Sequence, residues 1–351
     1  MKKVLKVILM LTLVLSVCVS FVACGGEKDS DVKNVKGLHL KKAYDDDANA
    51  YYIVTGYTVE DGFDGKLTIP SEKDGVPVTE IKEKAFKENS NITEIVVPSS
   101  VEKIGAGAFT AMTKLGKITI PFVGAKTGAV DSARTLAHYF GTTSYKAGIS
   151  ITSAYNPSSS STVYVPKTLT TVVVNSAEDY EVPDYAFSGF KYLTEITLND
   201  KVAKIGNFAF NGCAKIENVN LKGVKVIGES AFVGCEKLVN VTLGSGLTSI
   251  GKEAFKGLNL TAITLPDAVT YVGDKAFEDC EKLAALTIGG GLTEIRAYTF
   301  ANCKALTTIA VANGVLDVRG GAFLNVTVDG AAVFPNATLH DGWNAVSYEN
   351  K

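Results

Sequence analysis

The sequence predicts a β-rich α/β solenoid, in which short repeated units stack on one another. The first observation is an Ala-Phe or Thr-Phe pair that recurs every 22 or 23 residues, apart from one gap of 78. The second is a short apolar/polar alternation about ten positions after each pair, which is typical of a strand with one buried face. A unit of this length cannot enclose a core alone, so neighbouring units must stack. The recurring phenylalanines are Phe86, Phe109, Phe187, Phe210, Phe232, Phe255, Phe277, Phe300 and Phe323.

Composition and charge exclude several classes of protein. The chain has 351 residues, of which 46% are hydrophobic and 21% charged, as in ordinary globular proteins and unlike disordered or many-span membrane chains. The formal net charge is −2. Because binding to a phosphate backbone calls for a clustered basic surface, nucleic acid is not an expected partner.

The first residues are typical of an export signal. Three lysines precede an apolar run from Val7 to Val19, and small residues follow this run. The run is too short to span a bilayer as a mature helix. We therefore predict that residues 1–23 are a signal peptide, which is removed on export.

The end of this signal resembles a bacterial lipobox, because Ala23 precedes Cys24. The resemblance implies that Cys24 carries a diacyl anchor, that residues 24–37 form a polar tether, and that the protein is held at the extracellular side of the cell membrane. Two acyl chains are sufficient for stable membrane attachment. The alternative is an ordinary signal cut near this point, with Cys24 incidental.

Both ends of the predicted stack need caps, because an open stack exposes apolar faces. Tyr51–Tyr57 and Leu67–Pro70 read as strands separated by Asp-Gly turns, so we assign residues 38–77 to an N-terminal β cap. The repeat is lost near the C-terminus, where we assign residues 328–351 to a second cap. Trp343 is expected to cover the last unit there, and the alternative for Trp343 is a sugar-stacking platform.

Residues 78–327 are assigned to the repeats. In one unit, Ile205, Ala209 and Cys213 follow one another in four-residue steps, a spacing that predicts one apolar side of a short helix. An apolar pair three residues apart, such as Val202 and Ile205, is interpreted as the link from strand to helix. The strand alternations are Ile196/Leu198, Val219/Leu221, Val241/Leu243, Ile263/Leu265, Leu286/Ile288 and Ile309/Val311.

The long gap between Phe109 and Phe187 predicts two repeat units that flank an insertion over residues 122–162. Within the insertion, Ser132–Phe140 is predicted to be a helix with Asp131 as its N-cap. The insertion is interpreted either as a structural elaboration or as a lobe that contacts a ligand. In the second case Tyr139, Phe140, Tyr145 and Tyr155 are the candidate contact residues.

The unit Leu193–Leu198, Val202–Gly206 and Ala209–Cys213 resembles the BspA-like leucine-rich repeat of bacterial surface proteins. Several columns of the repeat coincide, over roughly residues 50 to 327. The resemblance implies a right-handed solenoid with one parallel sheet, short helical turns on the opposite side and a cap at each end. It also implies secretion and binding rather than chemistry.

No motif in the sequence indicates catalysis, a cofactor or a metal site. The sequence contains no motif that places a nucleophile beside a base or that pairs two carboxylates. It also contains no spacing typical of a set of metal ligands. The four cysteines of the repeats lie three residues after a recurring phenylalanine, which favours small apolar core residues over a metal site. Cys213 and Cys235, in adjacent units, leave a disulfide open as an alternative.

The leading functional hypothesis is a non-catalytic, lipid-anchored cell-surface protein that binds a protein or glycan on a host or neighbouring cell. The second hypothesis is a self-associating structural spacer of the envelope, and the third is a surface hydrolase with its site in the insertion. In repeat proteins the exposed sheet face is the usual contact surface. The candidate ligand residues are Thr197, Asn220, Thr242, Thr264 and Thr287 on the sheet, together with Tyr139 and Tyr145.

Overall fold

The structure is a computed structural model that describes residues 36–312, 314–327 and 333–344. The predicted signal peptide 1–23 and the predicted lipidation residue Cys24 lie outside these residues and stay predictions. Regular structure in the described part of the chain is almost entirely β. None of the helices found there has the length and hydropathy of a membrane span.

Each unit begins with a strand that pairs in parallel with its neighbours and in register. Val219 lies opposite Val241, and Leu286 lies opposite Ile309. These strands form the first of two parallel walls, whose backbone ladder is interrupted between the fifth and sixth strands and between the seventh and eighth. The first wall contains β3 (Lys66–Thr68), β6 (Glu94–Val96), β8 (Lys117–Ile120), β11 (Thr171–Val174), β13 (Glu195–Leu198), β15 (Asn218–Leu221), β17 (Asn240–Leu243), β19 (Ala262–Leu265), β21 (Ala285–Ile288) and β23 (Thr308–Val311).

A second strand in each unit contains the apolar pair that the sequence had assigned to a strand–helix link. Val202 and Ile205 are both buried, and Ile205 lies opposite Ile227. The prediction of a single parallel sheet is therefore wrong, because these strands build a second wall. The second wall contains β2 (Ala50–Tyr57), β5 (Val76–Ile81), β7 (Lys103–Ile104), β12 (Tyr180–Val182), β14 (Val202–Ile205), β16 (Val226–Ile227), β18 (Ser249–Ile250), β20 (Tyr271–Val272), β22 (Glu294–Ile295), β24 (Asp317–Val318) and β25 (Thr338–Leu339).

The third side of each unit, here called the turn wall, consists of turns around the recurring phenylalanine, so the predicted helical turns are wrong. Ser230 and Gly234 flank Phe232 with φ of 51° and 78°, left-handed values that an α-helix does not contain. The Phe232 N–H donates to the Ala254 carbonyl of the next unit at 3.0 Å, and not four residues back along the chain. Equivalent left-handed pairs are Lys84/Glu88, Gly107/Ala111, Tyr185/Gly189, Phe208/Gly212, Glu253/Gly257, Lys275/Asp279, Tyr298/Asn302 and Gly321/Asn325.

Inside the stack the recurring phenylalanines form an aromatic column. Phe232 is 1% exposed, and its ring centroid lies 5.0 Å from that of Phe210 and 5.2 Å from that of Phe255. From Phe187 to Phe323 each ring is stacked on the next at 5.0 to 5.3 Å. The prediction that neighbouring units must stack to enclose a core is thereby confirmed.

The two ends of the column are covered differently. At the N-terminal end, β1 (Leu38–Tyr44) forms an antiparallel hairpin with β2, and β4 (Glu72–Lys73) pairs antiparallel with β5. At the C-terminal end, Phe334 lies 5.6 Å from Phe323, and Trp343 packs edge-on against Phe323 at 5.9 Å. Trp343 thus contacts the last ring of the column, which is the position that a capping residue requires.

Part of the segment predicted as an insertion, 122–162, lies within the stack. The Ile104 N–H donates to the Ala125 carbonyl, and the Phe109 N–H donates to the Tyr139 carbonyl, both at 2.9 Å. These are the same inter-unit bonds that regular units form. β8 and β11, which precede and follow this segment in the sequence, pair directly with each other. The first wall is therefore continuous across the segment.

The predicted helix Ser132–Phe140 is wrong. Two four-residue 3-10 helices form instead, Asp131–Arg134 and Leu136–Tyr139. Thr135 between them is extended, with φ −98° and ψ 159°, and this conformation ends the first helix. Asp131 does not act as the predicted N-cap either, because it lies within the first helix and Val130 precedes it.

Beyond these helices the chain forms an antiparallel hairpin, here called the insertion hairpin, from β9 (Gly148–Asn156) and β10 (Ser159–Pro166). It lies directly against the turn wall at Gly189. A β-carbon added to Gly189 would come within 2.0 Å of the Thr152 carbonyl oxygen. Only a residue without a side chain permits this approach.

Candidate functional site

The five sheet residues predicted to contact a ligand are all exposed on the outer side of the first wall. In β19, Thr264 is exposed between Ile263 and Leu265, which are 4% and 1% exposed. The side of the sheet predicted for each residue is therefore confirmed, whereas contact with a ligand stays a prediction. The other four residues are exposed at the equivalent place in their strands: Thr197, Asn220, Thr242 and Thr287.

The parallel register repeats these polar groups at a constant interval. Asn220 lies opposite Thr242, and Thr264 lies opposite Thr287. Paired strands of a sheet are about 4.8 Å apart, so hydroxyl and amide groups recur at that step within β15–β17 and within β19–β23. This column of third-position residues presents neutral hydrogen-bond donors and acceptors.

Sequence reasoning missed a second outward column beside the first. It is formed by the first residue of each four-residue strand, which alternation places on the same side as the third residue. Asn240 Nδ2 donates to Asn218 Oδ1 at 2.7 Å, so these two side chains are bonded across neighbouring strands. The column continues through Glu195, Asn218, Asn240, Ala262, Ala285 and Thr308.

Charge on this face is concentrated at its N-terminal end. Glu94 lies 4.0 Å from the Lys66 ammonium and 3.3 Å from the Lys117 ammonium. Exposed ion pairs of this kind contribute only about 0–1 kcal/mol, so they neutralise the surface more than they stabilise it. From β15 to β23 the outward residues are Asn, Thr and Ala, and this part of the face, here called the neutral face, is uncharged.

The prediction that Tyr139 contacts a ligand is wrong. Tyr139 is 0% exposed, and its ring packs edge-on against Phe109 at 5.3 Å, which extends the aromatic column. Its hydroxyl donates to the Phe122 carbonyl at 2.8 Å. Burial raises the pKa of this hydroxyl well above its ordinary value. Tyr139 therefore anchors the segment in the stack and is not available to a ligand or to a hydrolytic reaction.

Tyr145, the other predicted contact, lies at the mouth of a cleft between the insertion and the turn wall. Its side chain is half-buried, and its ring lies across Gly148. Its hydroxyl is shielded from solvent, without a hydrogen-bond partner among the described residues, and burial raises the pKa of this group. The structure does not bring Tyr145 together with the residues of the neutral face, which lie on a different wall.

The four repeat cysteines are buried free thiols, as the core-residue interpretation expects. Each Sγ lies 3.1 to 3.3 Å from a phenylalanine carbonyl oxygen of a preceding unit, to which the S–H donates. Burial raises the pKa of Cys235 and of Cys280 to about 12. Cys213 and Cys235 are not bridged in this structure.

We expect these four thiols not to react with a thiol-specific reagent in the folded protein. At pH 8 the raised pKa keeps them protonated, and the reactive form is the thiolate. Peptide mass spectrometry should find Cys213, Cys235, Cys280 and Cys303 unlabelled before unfolding in guanidinium and labelled after it. Labelling of Cys235 in the folded chain would contradict its place in the core.

The histidines have separate partners. His39 Nε2 lies 2.9 Å from the Thr58 hydroxyl, His138 Nε2 lies 3.1 Å from the Ile104 carbonyl, and His340 Nε2 lies 2.7 Å from Asp317. Across the described ranges, no group of three or more His, Cys, Asp or Glu residues is placed to hold a metal ion. What the site offers chemically is hydrogen bonding by neutral groups.

Stacked units with two parallel walls, an aromatic column and an exposed neutral face define a solenoid repeat protein, a class whose extended surfaces are used for binding. Within that class, the chain belongs to the BspA-type leucine-rich repeat family. The family's sequence model matches in six copies, over residues 67–129, 158–256 and 215–329, which together span more than half of the chain. The resemblance inferred from the repeat columns is thereby confirmed, and repeats of this family are generally non-catalytic.

Solved structures of other leucine-rich repeat proteins align over most of the chain. A leucine-rich repeat protein from Bacteroides ovatus is 19% identical, with 84% of this chain and 81% of that chain covered and a TM-score of 0.40. A leucine rich cell surface protein from Faecalibacterium prausnitzii is 19% identical, with 87% and 84% covered and a TM-score of 0.38. No curated protein gives a significant match.

Proposed function

We propose that this protein is a non-catalytic binding protein of the bacterial cell surface, which contacts a protein or glycan of a host or neighbouring cell through the neutral face. The observation that carries this proposal is the exposed, uncharged, in-register array of Asn and Thr residues on the first wall. Enzymes need convergent groups with shifted acidity or a bound metal. This array instead offers a broad surface for contact.

The rigidity of the wall supports a binding role. Each outward residue lies on a strand that pairs with at least one neighbour and packs its inward side chains in or against the core, so its position is set before a partner arrives. A preorganised surface loses less conformational entropy on binding than a flexible one. Because the partner meets hydroxyl and amide groups and not charges, we propose a neutral, hydrogen-bonding partner surface.

A location outside the cell is supported by the sequence. The lysine-rich start, the apolar run and Cys24 fit an exported lipoprotein, for which we propose a diacyl anchor at Cys24 and the extracellular side of the cell membrane. The Faecalibacterium prausnitzii protein described as a cell surface protein is consistent with this proposal. Labelling cells with a lipid precursor should mark the wild type and not the Cys24→Ala variant.

The binding surface can be tested by charging it. We expect the wild-type chain to bind saturably to at least one of immobilised mucin, extracellular-matrix proteins or cell-wall fractions in interferometry. Thr242→Arg with Thr264→Arg should weaken that binding at least tenfold, because two guanidinium groups would have to be desolvated at the interface. The melting temperature should stay the same, since both residues are exposed.

Thr248→Arg with Thr270→Arg is the matched control. These threonines belong to the same two units and are also exposed, but they precede the strands of the second wall. The control pair should bind like the wild type. Equal loss in both pairs, or no binding to any panel member, would contradict the proposal. Concentration-dependent growth in sedimentation would instead support the self-associating spacer.

A further inference from the structure

A cleft of about 490 Å³ lies on the turn wall and the insertion, and not on the first wall that carries the neutral face. Its walls come from three stretches: residues 83–88 and 106–111 of two neighbouring turn walls, and residues 140–145 of the insertion. Its volume falls within the range of small-molecule sites, about 300–1,000 Å³. The cleft exists because the chain leaves the stack after Phe140 and turns back over the first units.

Two glycines keep the floor of the cleft open. Thr110 lies between Gly107 and Gly141, and β-carbons added at these two positions would come within 2.8 and 2.9 Å of Thr110 side-chain atoms. The missing side chains leave backbone groups and the Thr110 hydroxyl at the base of the cleft. Thr142, Thr143 and Ser144 add hydroxyls along one side.

The charged residues of the cleft cancel one another. Glu83 pairs with Lys84, and Lys87 pairs with Glu88 at 3.0 Å. The cleft therefore attracts neither an anion nor a cation by net charge, yet it is dense in donors and acceptors. Phe140 and Tyr145 also line the cleft, so apolar surface lies beside these polar groups.

Tyr145 adds an aromatic ring to the lining of the cleft. The side chain is half-buried, and its hydroxyl is shielded from solvent, so the ring and not the hydroxyl is the part that borders the cleft. An aromatic ring beside a group of hydroxyls suits a ligand that has both apolar faces and hydroxyl groups.

We propose that this cleft binds a neutral oligosaccharide, with Tyr145 contributing its ring and the exposed Thr142, Thr143 and Ser144 contributing hydroxyls. The proposal deepens the binding function proposed above and rests on it. Sugars combine dense hydroxyls with apolar ring faces and carry no charge, which matches the balanced, hydroxyl-rich lining. The cleft is a second contact region, separate from the neutral face.

The test uses the full chain and a panel of immobilised neutral oligosaccharides built from glucose, mannose, galactose or N-acetylglucosamine. A sialylated oligosaccharide and an acidic peptide serve as charged comparisons. Retained sugars are then titrated in solution by calorimetry. We expect saturable binding of at least one neutral sugar and none of the charged probes.

Ala106→Trp should lower the affinity at least tenfold, because Ala106 is exposed and lines the cleft. Ala297→Trp is the matched control, since Ala297 also lies three residues before the phenylalanine of its unit but far along the stack. Tyr145→Leu should lower the affinity at least threefold, because the ring that borders the cleft is lost, whereas Tyr145→Phe should bind like the wild type because the hydroxyl is shielded from solvent. Tyr155→Leu, on the insertion hairpin outside the cleft, should leave the affinity unchanged.

Failure to retain any neutral sugar, or equal binding by Ala106→Trp and the wild type, would overturn the proposal. Preferential binding of the sialylated sugar or the acidic peptide would overturn it as well. These results are distinguishable from failure of the proposed function, because binding that is lost in the Thr242→Arg and Thr264→Arg chain reports on the neutral face alone.

Discussion

Phe232→Ala is expected to lower the free energy of unfolding by about 3–5 kcal/mol, the range for truncation of a large buried aromatic. Phe232 is 1% exposed and lies between the rings of Phe210 and Phe255, at 5.0 and 5.2 Å. Its loss would open a cavity and remove two ring contacts, each worth about 0.5–1.5 kcal/mol beyond burial. Urea denaturation followed by circular dichroism measures the change.

Thr242→Ala, a substitution in the next strand of the first wall, is the control for this experiment. Its side chain is exposed on the neutral face, so the change in unfolding free energy should stay within about 0.5 kcal/mol. The pair compares the inside and the outside of the same stretch of the solenoid. Similar losses in both variants would mean that the assignment of buried and exposed sides is wrong.

Gly189→Ala is expected to cost about 2–5 kcal/mol. Gly189 has φ +80°, where a β-carbon costs about 1–2 kcal/mol. In addition, the new methyl group would meet the Thr152 carbonyl oxygen at 2.0 Å, so the insertion hairpin would have to move, at about 1–3 kcal/mol for overpacking. Hydrogen exchange of β9 and β10 should increase together with the loss of stability.

Gly257→Ala separates the two causes. Gly257 occupies the same position two residues after its unit's phenylalanine and has φ +72°, but no atom lies within 4 Å of an added β-carbon. It should therefore cost only the backbone strain of about 1–2 kcal/mol. An equal cost for the two substitutions would show that the insertion hairpin does not rest on Gly189.

Strands of the first wall and their inner and outer sides could be predicted because alternation is a local pattern. The sequence Ile263-Thr264-Leu265 is sufficient to place Thr264 outside. The neutral face was accessible to prediction for the same reason. Its second column could also have been derived, since Asn240 and Thr242 must share one side of β17.

The turn wall could not be predicted from local pattern. The four-residue steps of Ile205, Ala209 and Cys213 match a helix, yet none of the turn's bonds runs four residues back. The N–H groups of Phe208, Phe210 and Gly212 donate to the next unit, and that of Cys213 donates three residues back to Phe210. Phe208 and Ser230 adopt φ of 55° and 51°, which residues other than glycine rarely do. The hydrogen bonds between units that hold them there are long-range contacts, and no short sequence window contains them.

The buried position of Tyr139 could not be predicted from the sequence for a related reason. Its ring extends the aromatic column beyond Phe109, but the extra residues before it remove the 22- or 23-residue spacing. An aromatic side chain in an irregular segment was therefore interpreted as a surface contact. The direct pairing of β8 with β11 shows how the stack absorbs this irregularity.

The near-constant distance of 5.0 to 5.3 Å between consecutive rings has a consequence for how such a gene can evolve. Each unit in this range presents the same ring contact to the next unit. Recombination that duplicates or deletes one whole unit would therefore leave matching contacts at the new junction. The solenoid can then gain or lose one repeat unit at a time. The length of the solenoid would change in equal increments, while each unit would keep its own side-chain chemistry.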